Sequence, residues 1–321
     1  MIERIIKLPT LEKKIAIIQN EFSENMGIEA PLMTNAQGEV LDEFYEMPNG
    51  CICCSVKDDL VNTLELLIES KPEIEHIFIE TNGLADPANI IKIFWLDDGL
   101  MSNLELNYTM GVIDAKNFAK NIEDSETCEA LKKQLIHADK ILINKVDLAT
   151  TEEIENIISR INSFNPLVEL KQTEYANADL DYLIEAPEKI KNFTERYSES
   201  VGKAEKSEGE LKIHSHTAHS AEISPSYIIT EGILNLDNFE VLMGELHWES
   251  EVPLLRCKGL FHARDCDEKL GQYLLQGVDD TFECRLIKPL LEDHTDFENK
   301  FLFVGKDIDA QGLKEKINSC C

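Results

Sequence analysis

Three cysteines fall within four positions of the stretch 48-PNGCICCSVKDD-59: Cys51, Cys53 and Cys54. Thiols at that density can bind metal, react or pack. Disulfides between adjacent cysteines, or between Cys51 and Cys53, are strained. A closed structural zinc site takes two Cys/His pairs. Here one cluster supplies at most three thiolates, and no second CxxC exists. The result is an open, exchangeable site for a soft or borderline metal, Zn²⁺ or Cu⁺ first. Packing competes with that reading, because free cysteine is often core. However, Asn49-Gly50 before the cluster and Lys57-Asp58-Asp59 after it describe a loop running into a helix. Redox chemistry between Cys51 and Cys54 is the third reading.

A second constellation is 144-NKVD-147, directly after the apolar run 140-KILI-143. Guanine presents two donors on one edge, and a carboxylate such as Asp147 accepts both; adenine offers an unprotonated nitrogen there. Asn144 can meet the acceptors of the other edge and help hold the loop, and the stem of Lys145 can cover the base plane. The alternative is a plain loop. In 80-ETNGLADP-87, Glu80 ends another apolar run and suits a water-bridged Mg²⁺, while Gly83 lets a backbone N–H approach a γ-phosphate. The bland alternative gives Gly83 a turn and Pro87 a helix start. Asn20-Glu21 follow 15-IAIIQ-19 in the same way, and Asp114 either reaches the site or caps a helix.

The phosphate loop expected beside a guanine loop, G-x-x-x-x-G-K-[ST], is not among these 321 residues. The two Gly-Lys pairs, 202-GKAE-205 and 305-GKDI-308, lack both the following hydroxyl and the upstream glycine. The segment 2-IERIIK-7 reads as the end of a helix leading into Ile15, so the expectation is a nucleotide-binding unit cut short at its N-terminus.

The elements that must position these residues alternate along the first half. The runs 15–19, 76–80, 110–114 and 139–144 are β-branched and nearly continuous in apolar character, as strands buried on both faces are. Between them lie amphipathic segments such as 58-DDLVNTLELLIES-70, with Leu60, Leu64 and Leu67 at helical spacing. This pattern predicts an α/β fold with a doubly wound, mostly parallel sheet, where ligands bind beyond the C-terminal strand ends. The polar stretch 198–222 carries His214, His216 and His219 and reads as a linker, or as a zinc-loading arm. Beyond it, the runs 225–235, 253–263, 271–278 and 300–307 and a helix over 237–248 predict a smaller α+β domain. The expected division is 1–195, a linker at 196–222, and 223–318. Cys320-Cys321 read as a frayed tail, with metal binding as the alternative, and Trp95 and Trp248 as packing residues.

With 31 Lys+Arg against 61 Asp+Glu, the net charge is −30. That field repels phosphate backbones and anionic lipid, which excludes a general nucleic-acid binder and argues against membrane docking. No secretory h-region opens the chain and no apolar run approaches a membrane span. The expected compartment is the reducing cytoplasm, with the nucleus as a second.

The chain resembles the CobW family of G3E P-loop GTPases, and within it the eukaryotic zinc-regulated GTPase metalloprotein activators. The stretches that carry the resemblance are 20-NEF-22, 49-NGCICCSVKDDL-60, 80-ETNGLADP-87, 94-FWLDD-98 and 141-ILINKVDL-148, then 247-HW-248, 255-LRCKGLF-261 and 275-LQGVDDTFE-283. It implies a zinc metallochaperone that binds Zn²⁺ through Cys51, Cys53 and Cys54, with Glu21 beside them. Metal transfer is coupled to binding and hydrolysis of GTP with Mg²⁺, and the client is an apo-metalloenzyme, in the eukaryotic branch a methionine aminopeptidase. It also implies that Cys54, Ser55, Val56, Lys57 and Asp58 lie near the nucleotide, that Asn144, Lys145 and Asp147 hold guanine, and that Glu80 and Gly83 serve catalysis. Asn82 stands where the family commonly has Thr. The competing readings are a nucleotide-independent zinc buffer or scaffold and a thiol oxidoreductase.

Overall fold

The computed structural model describes residues 15–19, 44–46, 57–96, 103–125, 127–185, 193–198, 200–201, 223–248, 254–291 and 297–321. Within them the first half builds parallel strands joined by helices. Strands β1 (Ile15–Gln19), β2 (Phe44–Glu46) and β3 (His76–Glu80) pair in the order β2-β1-β3. Strands β4 (Met110–Asp114), β5 (Lys140–Asn144) and β6 (Glu169–Thr173) pair in the order β4-β5-β6. All four pairings are parallel, because each pair is linked by a crossover long enough to carry a helix.

The α/β class expected from the alternation is what forms. The sheet appears as two three-stranded pieces among the described residues, not one continuous hydrogen-bonded ladder. The pieces share a core: Ile15 and Ile17 of β1 and Leu142 of β5 bury together with Leu183 and Ile184, and Phe78 and Met110 pack against them. Helices α1 (Lys57–Ser70) and α2 (Ala88–Leu96) cover β1, with Leu60 and Leu64 packed on Ile18, Ile90 and Ile93. Burial on both faces holds for β5 but not for β4, where Val112 is 49% exposed.

Short helices α3 (Phe118–Glu123) and α4 (Cys128–His137) precede β5; α5 (Thr151–Phe164) follows it, and α6 (Leu180–Ile184) follows β6. Lys140 opens β5 from a buried position. Its ammonium donates to the carbonyls of Tyr182 (2.7 Å) and Glu185 (2.8 Å) and lies over the rings of Tyr108 and Tyr182. Burial pulls its pKa down, and Glu169 and Glu185 oppose that shift.

The second half is an antiparallel sheet in the order β11-β10-β9-β12-β7. Its strands are β7 (Ile223–Glu231), β9 (Leu254–Arg264), β10 (Leu270–Val278), β11 (Thr281–Pro289) and β12 (Glu298–Lys306), and the short β8 (Leu234–Asn235) pairs parallel with β9. Strand alternation divides it into two working faces. Cys257, Phe261, Tyr273, Leu275, Phe301 and Phe303 face helices α7 (Leu236–Trp248) and α8 (Ala310–Asn318). Leu260, Leu302 and Val304 bury instead against Ile136, Ile141, Phe164 and Val168 of the first half. Gly259 has no alternative in this register, since a Cβ there would sit 2.5 Å from Phe301 Cδ1.

Two expectations need correction. The C-terminus is not a frayed tail: Cys320 is 5% exposed, and its carbonyl accepts from the Asn235 N–H at 2.6 Å. Trp248 packs on one side only. It is 72% exposed, lies over Gly244, and donates from Nε1 to the Asp280 carbonyl at 2.8 Å. Beyond these, the sequence pattern marks neither β2 nor β6 in the first half, and neither β11 nor helix α8 in the second.

Candidate nucleotide site

The two candidate loops leave the C-terminal ends of parallel strands, where a doubly wound sheet exposes backbone to ligands. After the fully buried run of β5, Asn144 is half-buried and Lys145 turns the chain through a left-handed conformation (φ 62°, ψ 36°). A single 3₁₀ turn, Val146–Leu148, follows. Non-glycine residues hold such a conformation where the surroundings enforce it. Here the Lys145 ammonium reaches Asp114 Oδ2 at 2.7 Å, at the end of the neighbouring strand β4.

Asp114 does not cap α3, whose N-cap is Asn117. Its carboxylate accepts from Lys116 N–H (2.9 Å) and Asn117 Nδ2 (2.8 Å), closing the turn before that helix, and it holds Lys145. Partial burial raises its carboxyl pKa, but these hydrogen bonds and the lysine charge outweigh that and leave it below the usual carboxylate range.

Asn144 Oδ1 accepts from Ala176 N–H (2.8 Å) and Thr173 Oγ1 (3.3 Å), so its side chain is a brace to the loop after β6. In that loop Tyr175 and Ala176 both take φ 53°, and Tyr175 is 79% exposed. The loop-holding part expected of Asn144 is what forms, but its partners Thr173 and Ala176 match no sequence pattern on their own. Asp147 is exposed in the 3₁₀ turn, and no ion pair among the described residues occupies its carboxylate. The far end of the loop is fixed by a capping box, with Thr150 and Glu153 bonding each other reciprocally at the start of α5.

The loop after β3 is built differently. Glu80 is exposed at the strand end and pairs in register with Gln19 of β1. Asn82 closes the turn from inside: its Oδ1 accepts from Leu84 N–H and its carbonyl from Ala85 N–H, both at 2.9 Å. Asp86 Oδ1 caps α2 through Ala88 N–H at 3.0 Å. Pro87 stands just before α2, as the helix-start reading required. Gly83 is exposed with open space where a Cβ would be, and its N–H meets no acceptor among the described residues. A donor left open at a bare glycine is what a phosphate oxygen needs. Glu80 is a hard oxygen donor at a strand end, and it fits Mg²⁺ held through water.

Helix α1 begins at Lys57, as the sequence foretold, and the side chains of Lys57 and Asp58 lie outside the description. Cys51, Cys53, Cys54, Ser55, Val56, Glu21 and the three linker histidines lie outside the described residues. Among the described residues no group of three metal-ligating side chains converges. His262 and Cys257 are buried core residues of the second half. No helix of the described residues is long and apolar enough to cross a membrane.

Parallel strands, helices on the sheet and loops at the C-terminal strand ends define an α/β protein of the doubly wound type. The match to known families narrows this. Residues 1–172 match the CobW/HypB/UreG nucleotide-binding domain, and residues 227–321 match the cobalamin synthesis protein cobW C-terminal domain. The chain belongs to the CobW family.

Among its relatives is the zinc-regulated GTPase metalloprotein activator 1 of Schizosaccharomyces pombe, 28% identical over 325 residues that span 92% of this chain and 76% of that protein. The zinc chaperone YjiA of Escherichia coli is 26% identical over 308 residues, 94% of this chain and 88% of that one. In three dimensions the chain is similar to the crystal structure of Zn(II)-bound YjiA GTPase from E. coli, with a TM-score of 0.65 and 20% identity, over 100% of this chain and 93% of the other. At that identity the likeness speaks for the fold.

Proposed function

We propose that this chain is a zinc metallochaperone that couples metal transfer to GTP. In this reading Cys51, Cys53 and Cys54, with Glu21, hold zinc as cargo. Asn144, Lys145 and Asp147 hold guanine, and Cys54 to Asp58 link the two. Glu80 and Gly83 serve hydrolysis, with Glu80 holding Mg²⁺ to neutralise phosphate charge. The units are read as 1–195, a linker at 196–222 and 223–318, and the recipient as an apo-metalloenzyme such as a methionine aminopeptidase.

One observation carries the nucleotide half: Asp147 stands exposed on a turn braced by the Asn144–Ala176 hydrogen bond and the Lys145–Asp114 ion pair. A carboxylate held that way can accept both donors of guanine and is repelled by the lone pair of adenine N1. The metal half is supported by the chemistry of three clustered thiolates and by relatives that bear the names zinc-regulated activator and zinc chaperone. A three-thiolate site lacking a fixed fourth ligand changes affinity readily when an adjoining loop moves.

Competition titration of the protein with a zinc chelator, with and without GTP, tests both halves. Exchanging Cys53→Ala and Cys54→Ala together is expected to abolish tight binding, and unchanged affinity would refute the cysteine site. GTP is expected to shift zinc affinity in the parent protein. Tight zinc that ignores GTP would leave a zinc buffer in place of a GTP-driven chaperone.

A further inference from the structure

The loop carrying Gly83 is gripped from outside its own sheet. Gln134 Nε2, on α4, donates to the carbonyls of Gly83 (2.9 Å) and Ala85 (3.0 Å), and Lys133 of the same helix pairs with Asp86 at 2.5 Å. Together with the Asn82 turn, this fixes both peptide planes flanking Gly83. The 82–83 plane is set by Ala85 N–H on the Asn82 carbonyl, and the 83–84 plane by Gln134 on one side and Asn82 Oδ1 on the other. The direction of the open Gly83 N–H follows from those two planes.

The last turn of α4, the turn that carries Gln134, is gripped by the second half of the chain. Arg256 of β9 donates to the carbonyls of Ile136 and Ala138, the latter at 2.9 Å, and pairs with Asp139 at 2.5 Å. Lys258 joins Asp139 at 2.6 Å. Carbonyls at a helix C-terminus favour a cation, and Arg256, 6% exposed, supplies one beside the Asn165 amide, which donates to the carbonyls of Leu135, Ile136 and Ala138. A parallel tie runs to α2, which starts where the loop ends: Lys92 bridges Asp280 (2.6 Å) and Asp279 (3.4 Å) in the β10–β11 turn.

We propose that α4 is a strut through which the C-terminal domain sets the geometry of the 80–87 loop, with Gln134 as the positioning residue for the Gly83 N–H. The role of that N–H in hydrolysis rests on the nucleotide reading above; the mechanical coupling does not.

Amide hydrogen exchange on the whole chain, read by mass spectrometry, tests the coupling directly. Gln134→Leu removes two hydrogen bonds to the loop and is expected to speed exchange at Leu84 and Ala85 by roughly tenfold. Residues 144–150 and the melting temperature should stay as they are. Arg256→Lys keeps the charge but loses the fork that spans two carbonyls and a carboxylate. It is expected to speed the same loop amides from the other domain. If Arg256→Lys does not fold, Lys258→Met, which frees only one partner of Asp139, takes its place.

Loop exchange unchanged in Gln134→Leu, or faster exchange confined to α4 and β9 in the domain variants, would overturn the strut. In GTP turnover, Gln134→Leu is expected to lower kcat several-fold with KM unchanged; a rise in KM with kcat intact would overturn the positioning role. A parent protein that neither binds nor hydrolyses GTP would refute the nucleotide reading, and the exchange rates would still decide the strut.

Discussion

The loop after β5 and the loop after β3 both sit at strand ends, yet they are held by different parts of the molecule. The first is braced within its own sheet: Asn144 reaches the loop after β6, and Lys145 reaches the end of β4. The second depends on α4, and α4 depends on Arg256 and Lys258 of the C-terminal sheet. A base-recognition loop gains from rigidity, because discrimination needs donors and acceptors fixed before the ligand arrives. A loop that senses a terminal phosphate gains from a hold that can be altered elsewhere. In the proposed nucleotide reading, the difference separates a constant part of the site from an adjustable one.

Four substitutions test this contrast, from the largest expected effect down. Asp139→Asn leaves Arg256 and Lys258 facing a neutral amide in a buried interface, and should cost about 3 kcal/mol of stability by denaturant unfolding. It should loosen residues 80–87 and spare residues 144–150; equal loosening of both would erase the contrast. The wild-type pair also carries a pH signature. Burial raises the Asp139 carboxyl, but Lys258 and Arg256 hold it well below the usual carboxylate range. A depressed folded-state pKa means that this stability is fully present above about pH 4. It is lost as pH falls below that, so acid titration of Asp139→Asn should show a shallower decline than the parent.

Asp147→Ala removes both acceptors offered to guanine and should weaken fluorescent GDP binding about 100-fold, which corresponds to about 2.7 kcal/mol. It should leave folding intact, because that carboxylate serves no internal contact among the described residues; a large drop in melting temperature would count against its assignment as a ligand group. Asn144→Ala should cost about 1–2 kcal/mol through the orphaned Ala176 N–H. Hydrogen exchange should then quicken at residues 174–177 and not at the 80–87 loop. Asp114→Asn is the mildest. Lys145 is half-exposed at that bridge, so calorimetry should find about 0.5 kcal/mol or less. A penalty several times larger would mean that the left-handed turn at Lys145 is strained and needs the ion pair to persist.

How much of this was legible in the sequence differs element by element. The apolar runs at 15–19, 76–80, 110–114 and 140–144 became parallel strands because continuous β-branched character has few other outcomes. Leu60, Leu64 and Leu67 became the buried stripe of α1, while Leu66 faces solvent. The 144–147 loop was recognisable because its four residues are contiguous and their chemistry is specific. Strand β11 was not recognised: Thr281–Pro289 is mixed in polarity and only half-buried, as an edge strand is. Gln134 carried no signal at all, being one polar residue on an amphipathic helix. The burial of Cys320 was hidden because it depends on β8 and α7 lying over the last helix.

The sequence by itself determined the class of fold, four of the six parallel strands of the first half, and the residue types proposed for guanine and for metal. These follow from periodicity and from contacts between near neighbours, which a linear pattern records. Only the tertiary structure decided which face of the C-terminal sheet meets α4, how Asn144 is spent, and what holds Gly83. Arg256 and the Ile136 carbonyl stand 120 positions apart. Nothing in either segment specifies the other until the apolar face of Leu260, Leu302 and Val304 is removed from water against the first half.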